Sequence, residues 1–293
     1  MKMNTKAYRY DGKTDLNLKN CLTTPEETIS KKESKKIIED NVEEIAEMQE
    51  MMFASGSNAV LVVFQAMDAA GKDGTLKRLL SGVNPQGCTI SNFRKPTPVE
   101  AAHDFLWRIS NKLPQRGLIG VFNRSHYEEV LVTRVHPSFI LYQNIPGIEK
   151  VEDITPSFWQ HRYEAIRGFE RNIAKSGTKI IKFFLNVSKE EQKRRLLDRM
   201  NTPDKHWKFN LTDVKERAHW SVYMDCYQEA INKTAKDHAP WYVIPADDKN
   251  TMRALVTTIV REQMEEMNLK FPSSATSIKE DIAEGRRLFG EES

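Results

Sequence analysis

Cysteine is scarce in this chain. Its 293 residues hold three, Cys21, Cys88 and Cys226, far apart and with no CxxC pair. That excludes a disulfide-stapled scaffold and a zinc ribbon, and suits free thiols in a reducing, cytoplasmic setting. Long apolar runs are lacking too. The longest, Ala59 to Phe64, falls far below the ~18 residues of a membrane span. The opening MKMNTKAYRYDGK has no apolar core of a secretory signal. There is no HExxH, no GxSxG elbow and no Cys/His cluster at zinc spacing, and the seven histidines are scattered. A large net charge is also absent, since 44 basic residues face 41 acidic ones. The five tryptophans and eight tyrosines form no regular stacking array. Neither a nucleic acid nor a membrane is expected as a partner.

With 39% hydrophobic and 29% charged residues, the composition is that of a folded soluble domain. Positive charge is concentrated in two places. Lys72 to Arg134 holds ten basic and five acidic residues, and Lys189 to Arg217 nine and six; the first 66 residues hold nine and eleven. Such segments are either solvated helix faces or anion-binding surface.

The hydrophobic pattern alternates between strands and helices. Residues 1–32 form a polar extension without clear period. Ile38, Val42, Ile45, Met48 and Met52 share one face of a helix predicted over 35–53. Its methionines suit a core or an interface with a second copy. Ala59 to Phe64 reads as a strand buried on both faces. A helix follows from Gly71 to about Ser81, a strand over 88–93, a helix from Thr97-Pro98, a strand over 118–122 and a helix from Ser125. Further on come a helix over 154–176, a strand over 179–187 and a helix over 188–200, with Ser188 and Glu191 as a capping box. A polar break at 201–210, a helix over 212–236, a strand over 241–244 and a helix over 249–267 complete the pattern. The tail from Phe271 to Ser293 is expected to be loosely held. One three-layer α/β domain over 1–293, a parallel sheet flanked by helices with a helical lid at about 200–215, is the economical architecture.

The loop after the first buried strand carries the chemistry. Ala66-Met67-Asp68-Ala69-Ala70-Gly71-Lys72-Asp73-Gly74-Thr75 stands between strand and helix, the context of a phosphate-binding loop. Backbone N–H groups of Ala69 to Thr75, the helix N-terminus and the Lys72 ammonium would cradle phosphoryl oxygens. Ala66 replaces the first glycine of GxxxxGK[ST], and Asp73 replaces the usual hydroxyl. Asp68 would repel phosphate unless a cation intervenes, so Asp68 is a candidate Mg²⁺ ligand or the residue that orients hydrated Mg²⁺.

Three other segments bear on the same site. Phe93-Arg94-Lys95-Pro96-Thr97 ends a strand, where open α/β sheets bind ligands, and its adjacent cations Arg94 and Lys95 suit a phosphate or a nucleotide. Asn123-Arg124-Ser125-His126-Tyr127-Glu128-Glu129 ends another. Arg124 can fork onto phosphate. Asn123 stands where a carboxylate is usual, and Glu128 one turn on is a second candidate metal ligand. Asn123 and Tyr127 join the nucleotide set, and Arg108 and Trp107 are possible acceptor-side contacts. Glu129 is expected at the surface or in an ion pair, and His126 packed. Arg195 and Arg199 share a helix face, and with Lys208 they suit a lid over phosphates.

Taken together, DAAGKDGT, FRKPT, FNRSHYEE, RRLLDR and HWKF resemble the family-2 polyphosphate kinases from about Lys35 to Met267. The resemblance implies a P-loop kinase fold similar to thymidylate kinase. It also implies Mg²⁺-dependent, reversible transfer of a terminal phosphoryl group between inorganic polyphosphate and AMP, ADP or ATP. It gives Asp68 and Lys72 the loop roles, Arg124 that of an active-site arginine, and Arg195, Arg199 and Lys208 those of basic lid residues. Many members carry FDRSWYN where this chain has FNRSHYE; the form with Asn123 and Glu128 resembles the class III branch, which phosphorylates both AMP and ADP. Similarity to thymidylate kinases puts polyphosphate on the loop and lid, and nucleotide phosphates near Arg94 and Arg124. Self-association into a homo-oligomer is expected. An ATP-dependent nucleoside monophosphate kinase and a non-catalytic polyanion-binding protein are the alternatives, the second motivated by Asp73 and Asn123.

Overall fold

Six apolar residues in a row need cover on both faces, and the fold supplies it. The computed structural model describes residues 3–273 and 276–291. Its six strands are β1 (Arg9–Tyr10), β2 (Ala59–Gln65), β3 (Cys88–Asn92), β4 (Ile119–Asn123), β5 (Thr178–Asn186) and β6 (Trp241–Pro245). They form one sheet in the order β1-β6-β5-β2-β4-β3. β2 is buried along its whole length between β5 and β4, both parallel to it. β3 and β6 extend the parallel sheet, and β1 closes one edge antiparallel to β6. The sequence pattern did not disclose β1, because two residues carry no period.

Helices cover both faces, an α/β fold of the P-loop kinase kind with a helical lid. The first, Lys31–Ser55, starts on a Ser30–Glu33 capping box, earlier than the apolar period alone predicts, and stops at Gly56 in the left-handed conformation. It packs Val42 and Ile45 inward and lies along the helix Lys249–Glu265. The helix at Thr97 has its predicted cap but ends at Ala101, because Asp104 starts a fresh turn by accepting from Leu106 N–H. After Ser125 the chain makes a short 3₁₀ turn, His126–Val130, instead of a regular helix. The predicted helix over 212–236 is broken into Leu211–Glu216, a 3₁₀ turn at Arg217–His219, and Trp220–Thr234. At that break Arg217 donates to Lys189 O and Gln192 Oε1, both at 2.7 Å. Ser188 caps Lys189–Asn201 through Glu191 N–H, but the reciprocal half of the expected box is missing, because the Glu191 carboxylate is held by Arg194 and Arg195. In the tail, Thr276–Glu291 is helical, with Ile278, Ile282 and Phe289 exposed. Among the described residues no helix is long and apolar enough to cross a membrane.

One apolar core runs from Leu16 to Met264. Within it lies a charged knot. Lys182 Nζ donates to Glu170 Oε2 at 2.7 Å and to Tyr127 Oη at 2.9 Å, and Tyr127 Oη donates to Glu170 Oε1 at 2.7 Å. These side chains are all but sealed from solvent. Low polarity around them makes the pairing strong and its loss costly.

Candidate active site

The strands end on polar residues. Gln65, Asn92, Asn123 and Asn186 close β2, β3, β4 and β5 along one edge of the sheet. The loop from Ala66 leaves β2 there and turns back into the helix Lys72–Leu79. Ala69 (φ +63°) and Gly71 (φ +114°) both take positive φ, the turn that points successive N–H groups to one side. A side chain at Gly71 would be strained by that backbone and would press Met252 Cε at 3.2 Å. Gly71 offers the helix no side-chain cap, so the first-turn N–H groups stay available to an anion.

Lys72 folds over this loop. Its ammonium donates to Ala66 O at 2.9 Å and Met67 O at 3.4 Å. Burial pushes the amine below its ordinary value, and neighbouring Arg124 pushes the same way. Asp73 does not hang free: its Oδ1 accepts from Asn123 Nδ2 at 2.9 Å, and the same nitrogen donates to Asn92 Oδ1 at 2.8 Å. Asn123 therefore ties the ends of β3 and β4 to the first turn of the helix, and its Oδ1 is buried without a partner among the described residues.

Arg124 takes a left-handed backbone (φ +62°), uncommon for a residue with a Cβ and often found at functional sites. Its Nη2 bonds Asp68 Oδ1 at 2.5 Å and its Nη1 stands 3.9 Å from Glu128 Oε2. Glu128, ahead of Asp68, holds the guanidinium firmly protonated against the pull of burial. Burial in turn pushes the Glu128 carboxyl up, opposed by Arg124 and then Lys72. Lys72, Arg124, Asp68 and Glu128 thus form one compact, charge-balanced cluster at the loop. Among the described residues no three His, Cys, Asp or Glu side chains converge on a point. Two carboxylates beside a phosphate nest still fit Mg²⁺, which takes one or two protein oxygens and completes its shell with phosphate and water.

Beside this cluster opens a cavity of about 380 Å³. Arg94, Lys95, Arg108, Arg124 and Glu128 line it, with Phe93, Phe139, Tyr142, Tyr223 and Tyr227 as aromatic wall. Arg108 Nη1 donates to Arg94 O at 2.8 Å. Trp107 lies outside the lining and stacks on His103 at 4.1 Å. Glu129 is not at the surface but deeply buried, in an ion pair with Arg162 at 2.9 Å and near Arg108 at 3.7 Å. His126 packs against Tyr127, near Glu170.

Three sequence expectations need correction. Tyr127, placed with the nucleotide, is fully buried and bonded to Glu170 and Thr234, because the 3₁₀ turn points it into the core. Thr75, its N–H placed on phosphate, is buried and commits that N–H inside the helix to Gly71 O at 3.1 Å, where its hydroxyl also donates. Arg195 is not a free lid cation. It is 4% exposed, and its guanidinium donates to Ala70 O (2.6 Å), Ala69 O (3.2 Å), Ala246 O (2.6 Å), Asp247 O (3.0 Å) and Glu191 Oε1 (2.6 Å). With every direction occupied, it braces the loop from behind. Lys208, expected on the lid and not in this cavity, holds its ammonium 4.7 Å from the centre of the Trp207 ring. Arg199 stands between these cases, paired with Asp213 at 3.4 Å.

Sequence reasoning missed Asp213 and Glu216, which the short helix Leu211–Glu216 brings to the cavity wall, and Tyr223 and Tyr227 behind them. It also missed Gln192, which donates to Asp68 O at 3.0 Å. The available signal was the spacing Asp213–Glu216 and Tyr223–Tyr227, one helical turn in each case.

Comparison with known proteins identifies the family and the fold. The family model described as "Polyphosphate kinase 2 (PPK2)" matches residues 28–140 and 141–272. An "ADP-polyphosphate phosphotransferase" of Rhodopseudomonas palustris is 41% identical over 98% of this chain and 99% of its own length. An "AMP/ADP-polyphosphate phosphotransferase" of Meiothermus ruber is 42% identical over 82% of this chain and 84% of its own. The crystal structure of polyphosphate kinase 2 from Arthrobacter aurescens superposes with a TM-score of 0.87 at 35% identity, covering 99% of this chain and 97% of that one.

Proposed function

The chain belongs to the polyphosphate kinase 2 family, and we propose that the cluster of Lys72, Arg124, Asp68 and Glu128 is where it moves a phosphoryl group between inorganic polyphosphate and AMP or ADP. The observation that carries this is the shared edge. A backbone anion cradle, two cations and two carboxylates meet beside a cavity with aromatic walls. The cradle and Lys72 suit the polyphosphate end. Arg94, Lys95 and Arg108 suit the nucleotide phosphates, and the tyrosine and phenylalanine walls suit its base.

Transfer is a direct displacement. An ionised oxygen of the nucleotide's terminal phosphate attacks the last phosphorus of the polyphosphate. The bond to the next bridging oxygen breaks, and the chain leaves one unit shorter, its new end carrying the negative charge. AMP becomes ADP and ADP becomes ATP. The acceptor oxygen is already deprotonated, so no general base is required. Charge spreads over the equatorial oxygens in the transition state. Lys72 leaves the carbonyls of Ala66 and Met67 to meet that charge, and Arg124, held by Asp68 and Glu128, presents its fork to the reacting phosphates. Arg195 and Gln192 fix the loop backbone. Mg²⁺, held through Asp68 and Glu128, would supply further charge neutralisation between the phosphates.

Mg²⁺, polyphosphate and either AMP or ADP, followed by chromatography, test this. ATP from both acceptors supports it. ATP from ADP alone would overturn the AMP assignment, and product only with ATP as donor would overturn the family chemistry for this chain. Self-association is the other part of the proposal. The exposed Ile278, Ile282 and Phe289 of the last helix support it, and sedimentation at two salt concentrations checks it.

A further inference from the structure

Five cations gather on the side of the loop away from the nucleotide cavity. Arg195 and Arg194 share the single carboxylate of Glu191. Lys249 and Arg253 come from the helix Lys249–Glu265, and Arg78 from the loop helix. The Arg253 guanidinium lies directly over Gly74: a Cβ there would sit 2.7 Å from its Nη2, and only the lack of a side chain lets it approach. Among the described residues Arg78, Lys249 and Arg253 have no carboxylate within ion-pair distance, and Arg253 Nε is buried without any partner.

This arrangement is unfavourable by itself. Lys249 and Arg253 are like charges four apart on one helix. Lys249 opens that helix, where the macrodipole disfavours a cation. Burial pushes Lys249 down and Arg195 adds repulsion, partly offset by Glu191, with Arg194 and Arg253 adding more; burial likewise pushes Arg253 down, with Arg78 and Arg195 adding to it. Local conflicts of this kind are retained where a ligand resolves them.

We propose that Arg78, Lys249 and Arg253 form an anion subsite that holds the inner units of a long polyphosphate chain, beyond the phosphates in the loop. The subsite rests on the donor assignment above. It extends the donor track across Gly74 onto the helix Lys249–Glu265, a different surface from the lid. A chain too short to leave the loop cannot reach it.

The test compares ligand lengths. Affinity for tripolyphosphate and for a long-chain polyphosphate is measured by calorimetry on the wild type, Arg253→Gln, Lys249→Gln and the exposed Arg78→Gln. The expected result is a roughly tenfold loss of long-chain affinity in the Arg253 and Lys249 variants, the scale of a lost charge-assisted contact, and less than about twofold for tripolyphosphate. The ligand-free melting temperature should hold or rise, since repulsion is relieved, whereas a purely structural role would lower it. Equal loss for both lengths, or no loss in any variant, overturns the subsite. A wild type that binds neither ligand overturns the donor assignment and the subsite with it. Arg78→Gln, at a solvated position, keeps the comparison valid if a half-buried substitution fails to fold.

Discussion

Lys72 and Arg124 differ in what holds them. The lysine rests on two carbonyls of its own loop, and these bonds are exchanged when phosphate arrives. Lys72→Ala should therefore lower transfer by about 10²–10³-fold, the loss seen when one transition-state donor is removed. Its melting temperature should stay within about 3 °C of wild type, because a few tenths of a kcal/mol move Tm little in a chain this long. Steady-state rates beside calorimetry check both; retained activity would refute the role of the loop. Arg124 is held by two carboxylates in a backbone conformation few arginines adopt. A lysine there keeps the charge and loses the fork. Arg124→Lys should cost about 10²-fold in kcat, with little change in Mg²⁺-free binding of ADP.

At the scale of elements, the helix Lys189–Asn201 acts as a brace behind the loop. Glu191 orients Arg195, and Arg195 holds Ala69 and Ala70. The Glu191 carboxyl lies below its ordinary range, chiefly through Arg194 and then Arg195, against the effect of burial. A depressed carboxylate stabilises the fold above the unfolded value of about 4.3 and loses that contribution as pH falls through its folded value. Glu191→Gln should thus melt below wild type at pH 7, and the gap should shrink as pH falls below the unfolded value of about 4.3 and through the lower folded one. A gap constant with pH would show that packing, not charge, is lost. The same variant should raise the KM for polyphosphate, since the loop loses its support. Here the sequence was a partial guide. Apolar runs made β2, β4 and β5 legible, and Gly71-Lys72 made the loop legible. A run of arginines discloses charge but not direction: Arg194 faces solvent, Arg195 faces the loop carbonyls and Arg199 faces Asp213. Tyr127 was misplaced for the same reason, since a 3₁₀ turn rotates side chains differently from the expected α-helix.

For the whole molecule, the buried knot of Lys182, Glu170 and Tyr127 joins β5, the helix Pro156–Lys175 and the turn after Arg124. Lys182→Met strands a buried carboxylate and should destabilise by about 3–5 kcal/mol. Lys182→Met with Glu170→Gln should recover a large part of that in denaturant unfolding; no recovery would mean the knot is held by shape and not by charge. Neither partner could be matched from sequence, because a lone lysine in an apolar strand names no counter-ion.

The antiparallel strand β1 ties Arg9 and Tyr10 to Tyr242 and Trp241. Around it Leu16 N–H donates to Asn232, Leu18 N–H to Gln228 and Ile29 N–H to Thr251. This early piece of chain is therefore matched to pieces made more than 200 residues later. At ordinary rates of synthesis, the roughly 230 residues between Tyr10 and Trp241 take on the order of 10–50 s to make. For that interval the opening segment has no partner, and the parallel strands β2 to β5 assemble with one flank bare. The seam that closes this flank of the sheet cannot be sewn until β6 is made, so the growing chain presents an open strand edge to edge-to-edge association throughout that interval.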